Sequence, residues 1–212
     1  MPFSLIVFDL DGTLIDSIGL IHASYRHALA SHGCTEPPYD EWLAGLGTPL
    51  QQQFARFAGD PREIDAMCAT YRAHNLSHHD GRVRAYDGIA EALAALRARG
   101  VRLGVVTSKR ADGARRGLAV SGLAAFFDDV VALDDVQKHK PDPEPVLVAL
   151  SRLHTRPDRA IYIGDSTHDL AAGRAARVRT GAALWGPFPR AWLEREEPDV
   201  WLATPREIAE LA

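Results

Sequence analysis

The run Leu5-Ile6-Val7-Phe8-Asp9-Leu10-Asp11-Gly12-Thr13-Leu14 constrains this chain more than any other stretch. Four apolar residues in succession predict a strand covered on both faces, the kind found inside a parallel sheet. The apolar run stops at two carboxylates. In an open α/β sheet, ligands bind in the crevice beyond the carboxyl ends of the strands, so Asp9 falls where a ligand sits and Asp11 lies one loop step further. Gly12 permits a bend tight enough to turn both carboxyls toward one point. Two like charges that close raise each other's proton affinity and favour a bound cation. With oxygen donors and no Cys or His nearby, a hard ion such as Mg²⁺ suits them better than zinc. The competing reading is a plain strand-to-turn exit, since Asp and Gly are common turn residues.

Downstream, apolar spacing at Ile18, Ile21, Tyr25, Ala28 and Leu29 predicts a helix from an Asp16 cap to about His32. Thr48-Pro49 reads as cap and first-turn proline of a helix through Phe57. Asp60-Pro61-Arg62-Glu63 repeats that device, with Glu63 placed for a capping box, and its helix runs to about His79. No buried strand is evident between these helices. Past residue 84 the pattern changes to alternating strands and helices: a helix from Asp87 to Arg99, a strand over 101–107, a helix around Ala111 to Val120, and a short strand at 130–132. A helix from Asp142-Pro143 to Leu153, a strand over 160–163, a helix near Asp169 to Ala176, a strand over 180–184 and a short helix capped at Thr204 follow. Such βαβ repetition implies an α/β fold with a right-handed, mostly parallel sheet and helices on both faces. The expected division is a discontinuous core, 1–15 and 85–212, interrupted by a helical insertion, 16–84. The aromatic turn Trp185 to Pro189 is expected to pack on the surface; a pocket edge or an oligomer contact is the alternative.

Of 212 residues, 46% are hydrophobic, ample for a buried core. Acids outnumber Lys and Arg by 28 to 24, which argues against a nucleic-acid partner. The cysteines, Cys34 and Cys68, form neither a metal-site spacing nor a disulfide framework, as fits a reducing cytoplasm. The apolar start lacks a basic leader and is too short for a membrane segment.

Three more segments set polar groups after strands. Thr107-Ser108-Lys109 offers hydroxyls and backbone N–H groups to a phosphate, or simply caps the next helix. Lys140, held extended by Pro141, is placed to offset negative charge near Asp9, or to pair with a surface acid. Gly164-Asp165-Ser166-Thr167-His168-Asp169 repeats the ending of the first strand. Asp165 is the third candidate carboxylate. Asp169 is either an outer metal ligand or the group that orients Ser166 and Lys140; helix capping competes with both roles.

Taken in order, Asp9-x-Asp11-Gly12-Thr13-Leu14, Thr107, Lys140 and Asp165 with Asp169 resemble the four signatures of the haloacid dehalogenase-like (HAD) hydrolases, over essentially the whole chain. The resemblance implies a Rossmann-like core with a helical cap. It also implies Mg²⁺ held by Asp9, Asp165 and the Asp11 backbone carbonyl, an aspartyl-phosphate on Asp9, proton transfer by Asp11, and a phosphate cradle of Thr107, Ser108 and Lys140. The presence of Asp11 argues against the metal-free dehalogenases of the superfamily.

Gly45 to Leu50, with Gly47 and Thr48, resembles the cap loop of phosphoglycolate phosphatase-like members, though a plain helix start explains it too. Tyr71, Asn75 and His79 share one helix face, in a run that resembles the HAD-type pyrophosphatase branch; basic groups there are placed to grip a second phosphate. A histidine pair binding zinc is the sharper alternative. The expected function is an Mg²⁺-dependent phosphatase acting on a small phosphorylated metabolite such as phosphoglycolate. The alternatives are an inorganic pyrophosphatase, a sugar-phosphate mutase and a non-catalytic binding domain, in a monomer or homodimer.

Overall fold

The computed structural model describes residues 3–211. β1 (Leu5–Phe8) forms where its apolar run places it, and none of its four residues is more than 1% exposed. Its side chains divide between two cores. Ile6 and Phe8 enter one with Leu10, Leu93 and Leu118, while Leu5 and Val7 enter another with Val146, Leu150 and Tyr162. Each side chain of this size contributes about 1.5–3 kcal/mol on burial. A strand with apolar neighbours on both faces has its most favourable place at the middle of the sheet.

The chain then forms β2 (Ile15–Asp16), α1 (Ile18–Ser31), α2 (Tyr39–Gly45), α3 (Leu50–Phe54), α4 (Pro61–Arg82) and β3 (Arg84–Ala85). After these come α5 (Ile89–Ala98), β4 (Arg102–Val106), α6 (Ala111–Val120), β5 (Asp129–Val131), α7 (Glu144–Arg152) and β6 (Ala160–Gly164). The chain continues through α8 (Thr167–Ala175), β7 (Arg179–Ala183), α9 (Arg190–Leu193) and β8 (Val200–Leu202), and ends in a 3₁₀ helix, Pro205–Leu211.

Six strands make one sheet in the order β5-β4-β1-β6-β7-β8, and every pairing in it is parallel. Side chains of α5 and α6 fill the core on one face, and those of α7 and α8 the core on the other. This is the Rossmann-like α/β arrangement expected. Helices α1 to α4 enclose a third core of Tyr25, Leu29, Trp42, Leu43, Phe54 and Met67, with the Tyr25 and Phe54 rings stacked 5.1 Å apart. That core is continuous with Leu170, Ala182 and Phe188 of the sheet layer.

Several local expectations are corrected. Asp16 does not cap α1; it lies in β2, which pairs antiparallel with β3 to form a two-residue ribbon where the chain leaves and rejoins the sheet layer. Ser17 takes the cap position but makes no side-chain cap bond. Thr48 turns its hydroxyl back to the Gly45 carbonyl at 2.7 Å, so α3 starts after Pro49 without a side-chain cap and ends at Phe54, short of Phe57. Asp60 does cap α4, accepting from the Arg62 N–H at 2.8 Å, and that helix runs one turn past His79. Gly88, not Asp87, precedes α5. The strand β8 was not expected: three residues among aromatic and charged neighbours carry no period of their own. Among the described residues, no helix is long and apolar enough to cross a membrane.

Candidate active site

β1 and β6 are adjacent and parallel, so the residues that follow them emerge together; the Asp9 N–H donates to the Ile163 carbonyl at 2.8 Å and continues the ladder to the site. Lys140 meets them from the loop before α7. Its Nζ donates to Asp9 Oδ1 at 2.7 Å, to Asp169 Oδ1 at 2.6 Å and to the Tyr162 hydroxyl at 3.1 Å. Lys140 is 4% exposed, which removes the surface-pair reading. Asp169 Oδ2 accepts from the Ser166 N–H at 3.1 Å and from its hydroxyl at 2.5 Å. Both oxygens of Asp169 are thus engaged by protein donors, the geometry of a group that orients Lys140 and Ser166. Asp169 and Ser166 also complete a capping box for α8, so capping and orientation coexist.

Asp165 Oδ1 accepts from the Thr13 hydroxyl at 2.5 Å. Among the described residues, the second oxygens of Asp9 and Asp165 have no donor. Asp9, Asp165 and Asp169 each offer an oxygen within 4.8 Å of the others. Burial pushes Asp9 up to about 7, with Asp169 and Asp11 adding to the rise and Lys140 opposing it. Burial, then Asp9 and Asp169, hold Asp165 well above the usual carboxylate range. Burial works against the ionised form of Asp169 as well, but Lys140, Ser166 and Tyr162 outweigh it and keep that carboxyl low. Two buried carboxylates with free oxygens, whose charge the protein only partly offsets, fit a hard divalent cation. The zinc alternative on α4 has no such support. Among the described residues, no His group forms a comparable cluster, and His74 stacks instead on His27 and His78, each at 4.4 Å.

Asp11 departs from the expected pairing. Its carboxylate lies outside that cluster, where Oδ1 accepts from Ser17 Oγ at 2.6 Å and from Lys109 Nζ at 2.7 Å. The turn therefore splits the two aspartates, one toward Lys140 and one toward Lys109. Thr107 follows β4 and accepts the Lys109 N–H at 3.1 Å, while the Ser108 hydroxyl is buried with no partner among the described residues. A buried hydroxyl without a partner is costly and suits a site that receives a polar ligand.

The Trp185 to Pro189 turn is not simple surface packing. Trp185 Nε1 donates to the Thr13 carbonyl at 2.9 Å, and Phe188 is buried against the cavity. A Cβ on Gly186 would lie 2.3 Å from Asp165 Cβ, and one on Gly12, whose φ is +93°, would lie 2.6 Å from Asp165 Oδ2. Asp165 is therefore clasped between two glycines 174 positions apart in the sequence. Gly12 and Gly186 were both legible as turn residues, but the approach of Gly186 to Asp165 has no local signature. The side chains of Lys109, Ser17, Thr13 and Tyr162 were likewise given no role from sequence.

A cavity of about 410 Å³ opens over these groups. Its far wall includes Gly47, Thr48, Tyr71, Arg72, Asn75 and His79, so the expected α4 face does meet the site. Burial, with a smaller push from Asp11, raises Tyr71 well above the ordinary tyrosine range. Asn75 donates to Ser24 Oγ at 3.3 Å. His79, 2% exposed, is wedged between α4 and α6, its Nδ1 3.1 Å from Asp80 Oδ1. Across that seam Arg116 forks onto Asp80 with contacts of 2.7 and 2.9 Å.

The sequence matches the family model for haloacid dehalogenase-like hydrolases over residues 6–183. It is 43% identical over 197 residues to the pyrophosphatase PpaX of Bacillus velezensis, covering 93% of this chain and 90% of that one. It is 35% identical to the pyrophosphatase PpaX of Halalkalibacterium halodurans, over 100% of this chain and 97% of the relative. Among solved structures it resembles a Lactobacillus plantarum protein provisionally named a phosphoglycolate phosphatase, with a TM-score of 0.88, 30% identity and full coverage of both chains.

Proposed function

This chain belongs to the haloacid dehalogenase-like hydrolases and is a phosphatase of that family, and on that premise we propose that it hydrolyses inorganic pyrophosphate with Mg²⁺, phosphoglycolate being the second candidate. The observation that carries the reading is the state of Asp9. Lys140 fixes one of its oxygens, and the other has no donor among the described residues and faces the cavity beside Asp165. A carboxylate so held is arranged for in-line attack on phosphorus, giving an aspartyl-phosphate that water then hydrolyses. The names of the PpaX relatives favour pyrophosphate over phosphoglycolate.

Asp9, Asp165 and the Asp11 backbone carbonyl are the groups that would hold Mg²⁺, which supplies charge neutralisation at the phosphoryl oxygens. Asp11 serves as acid to the leaving oxygen and then as base to water. Its Oδ1 already accepts two hydrogen bonds, so the proton moves at Oδ2. Thr107, Ser108 and Lys140 stabilise the equatorial oxygens. Asp169 holds Lys140 in place from behind. The helical segment 16–84 acts as the cap that excludes water over the reacting group. Its place of work is taken to be the cytoplasm, where such metabolites and reduced thiols occur together.

The test is phosphate release with and without Mg²⁺ from pyrophosphate, phosphoglycolate and a panel of sugar phosphates, on wild type, Asp9→Asn and Asp11→Asn. Mg²⁺-dependent release abolished in Asp9→Asn is expected. An isomerised sugar phosphate without free phosphate would point to a mutase. Full turnover by Asp9→Asn would remove Asp9 as nucleophile.

A further inference from the structure

The cations that line the cavity are nearly all committed. Lys140 is paired with Asp9 and Asp169, Lys109 with Asp11, Arg110 with Asp134, and Arg116 with Asp80. Arg72, on α4, is the exception: it lines the same cavity, is exposed, and has no carboxylate partner among the described residues. Its neighbours on that helix include the polar Tyr71, one residue before it, and Asn75, one helical turn after, with the apolar Leu76 beside them. Tyr71 and Asp11 line the same cavity, so this wall shares that space with the group proposed to handle the leaving oxygen.

A guanidinium facing a cavity without a protein counter-ion is suited to an anion carried by the ligand. It presents five N–H donors in a planar fork that matches a carboxylate or a phosphoryl group. The cavity, at about 410 Å³, has room for a second anionic group beyond the reacting phosphoryl.

We propose that Arg72 forms a second anion subsite on the leaving-group side, which makes the substrate class doubly anionic: a phosphoryl group whose leaving portion itself carries a phosphate or a carboxylate. This rests on the phosphatase reading for its kinetic test, but binding tests it separately. Tyr71 and Asn75 orient the same group by neutral hydrogen bonds, while Arg72 supplies the charge. A neutral phosphorylated alcohol gains nothing from the subsite.

The experiment compares wild type, Arg72→Ala and Arg72→Lys with Mg²⁺ on pyrophosphate, phosphoglycolate and glycerol phosphate, reading kcat and KM for each. A hydrogen bond to a charged group contributes about 1.5–3 kcal/mol, so Arg72→Ala is expected to lower the kcat/KM ratio of anionic to neutral leaving group by roughly 10- to 100-fold. The loss should fall in KM, and Arg72→Lys should restore part of it. A structural defect would depress all three substrates in proportion and leave the ratio where it was; that outcome overturns the proposal. A ratio that falls for pyrophosphate alone or for phosphoglycolate alone identifies the anion. Should wild type release phosphate from none of them, calorimetric binding of imidodiphosphate still decides. Weaker binding by Arg72→Ala supports the subsite, and equal or absent binding in both proteins overturns it.

Discussion

Gly186→Ala is the most direct test of how the turn after β7 serves the site. The new methyl carbon would stand 2.3 Å from Asp165 Cβ and 2.8 Å from its Cγ, whereas ordinary contact begins at 3.4 Å. Something must therefore move by roughly 1 Å, and a displacement of that size at a reacting group costs on the order of 10²-fold in rate. Asp165 has little freedom to yield, since it is 2% exposed, Thr13 holds Oδ1, and Gly12 closes its other side. The turn is tied down as well, through Trp185 to the Thr13 carbonyl and through buried Phe188. The expected result is a loss of about 10²-fold in kcat, equivalent to about 2.7 kcal/mol of barrier, with a weakened apparent affinity for Mg²⁺. Overpacking should also lower stability by about 1–3 kcal/mol. Phosphate release titrated with Mg²⁺ and urea denaturation measure the two effects. Wild-type kcat and Mg²⁺ dependence in a folded Gly186→Ala protein would refute the clasp.

Two further predictions concern the buried charges. Lys140→Met leaves Asp9 and Asp169 facing each other without their shared cation, and breaking a buried pair in this way costs about 3–5 kcal/mol. Urea denaturation should show that loss together with near-complete loss of turnover, and a change below about 1 kcal/mol would contradict the role given to Lys140. In the metal-free protein, Asp9 titrates near 7 against an ordinary value of 3.8, and Asp165 is also raised. The folded state then binds more protons than the unfolded state between those values, so Asp9 withdraws stability as pH rises from about 4 to about 7, and Asp165 acts in the same direction. Mg²⁺ competes with those protons. Its thermal stabilisation of the protein should thus be larger near pH 8 than near pH 5.5, and a pH-independent shift in the melting temperature would count against cation binding at Asp9 and Asp165.

By itself the sequence determined the places where the chain stops being apolar. Leu5 to Phe8 and Ala160 to Gly164 are buried runs that only the inside of a parallel sheet accommodates, and each ends in a carboxylate, so Asp9 and Asp165 had to appear at strand ends. The bounds of α6 were equally legible, because its period is carried by residues adjacent in the chain. Tertiary structure decided which of these groups meet. Lys140 reaches Asp9 across 131 positions and Lys109 reaches Asp11 across 98. Sheet order and crossover connections set those contacts, and neither leaves a trace in local periodicity. The two-residue ribbon of β2 and β3 is too short to show alternation, and Gly186 gives no hint of Asp165 until β6 and β7 lie side by side. Periodicity reports the face a residue shares with its chain neighbours; a site assembled from five separate loops depends on how those faces are brought together.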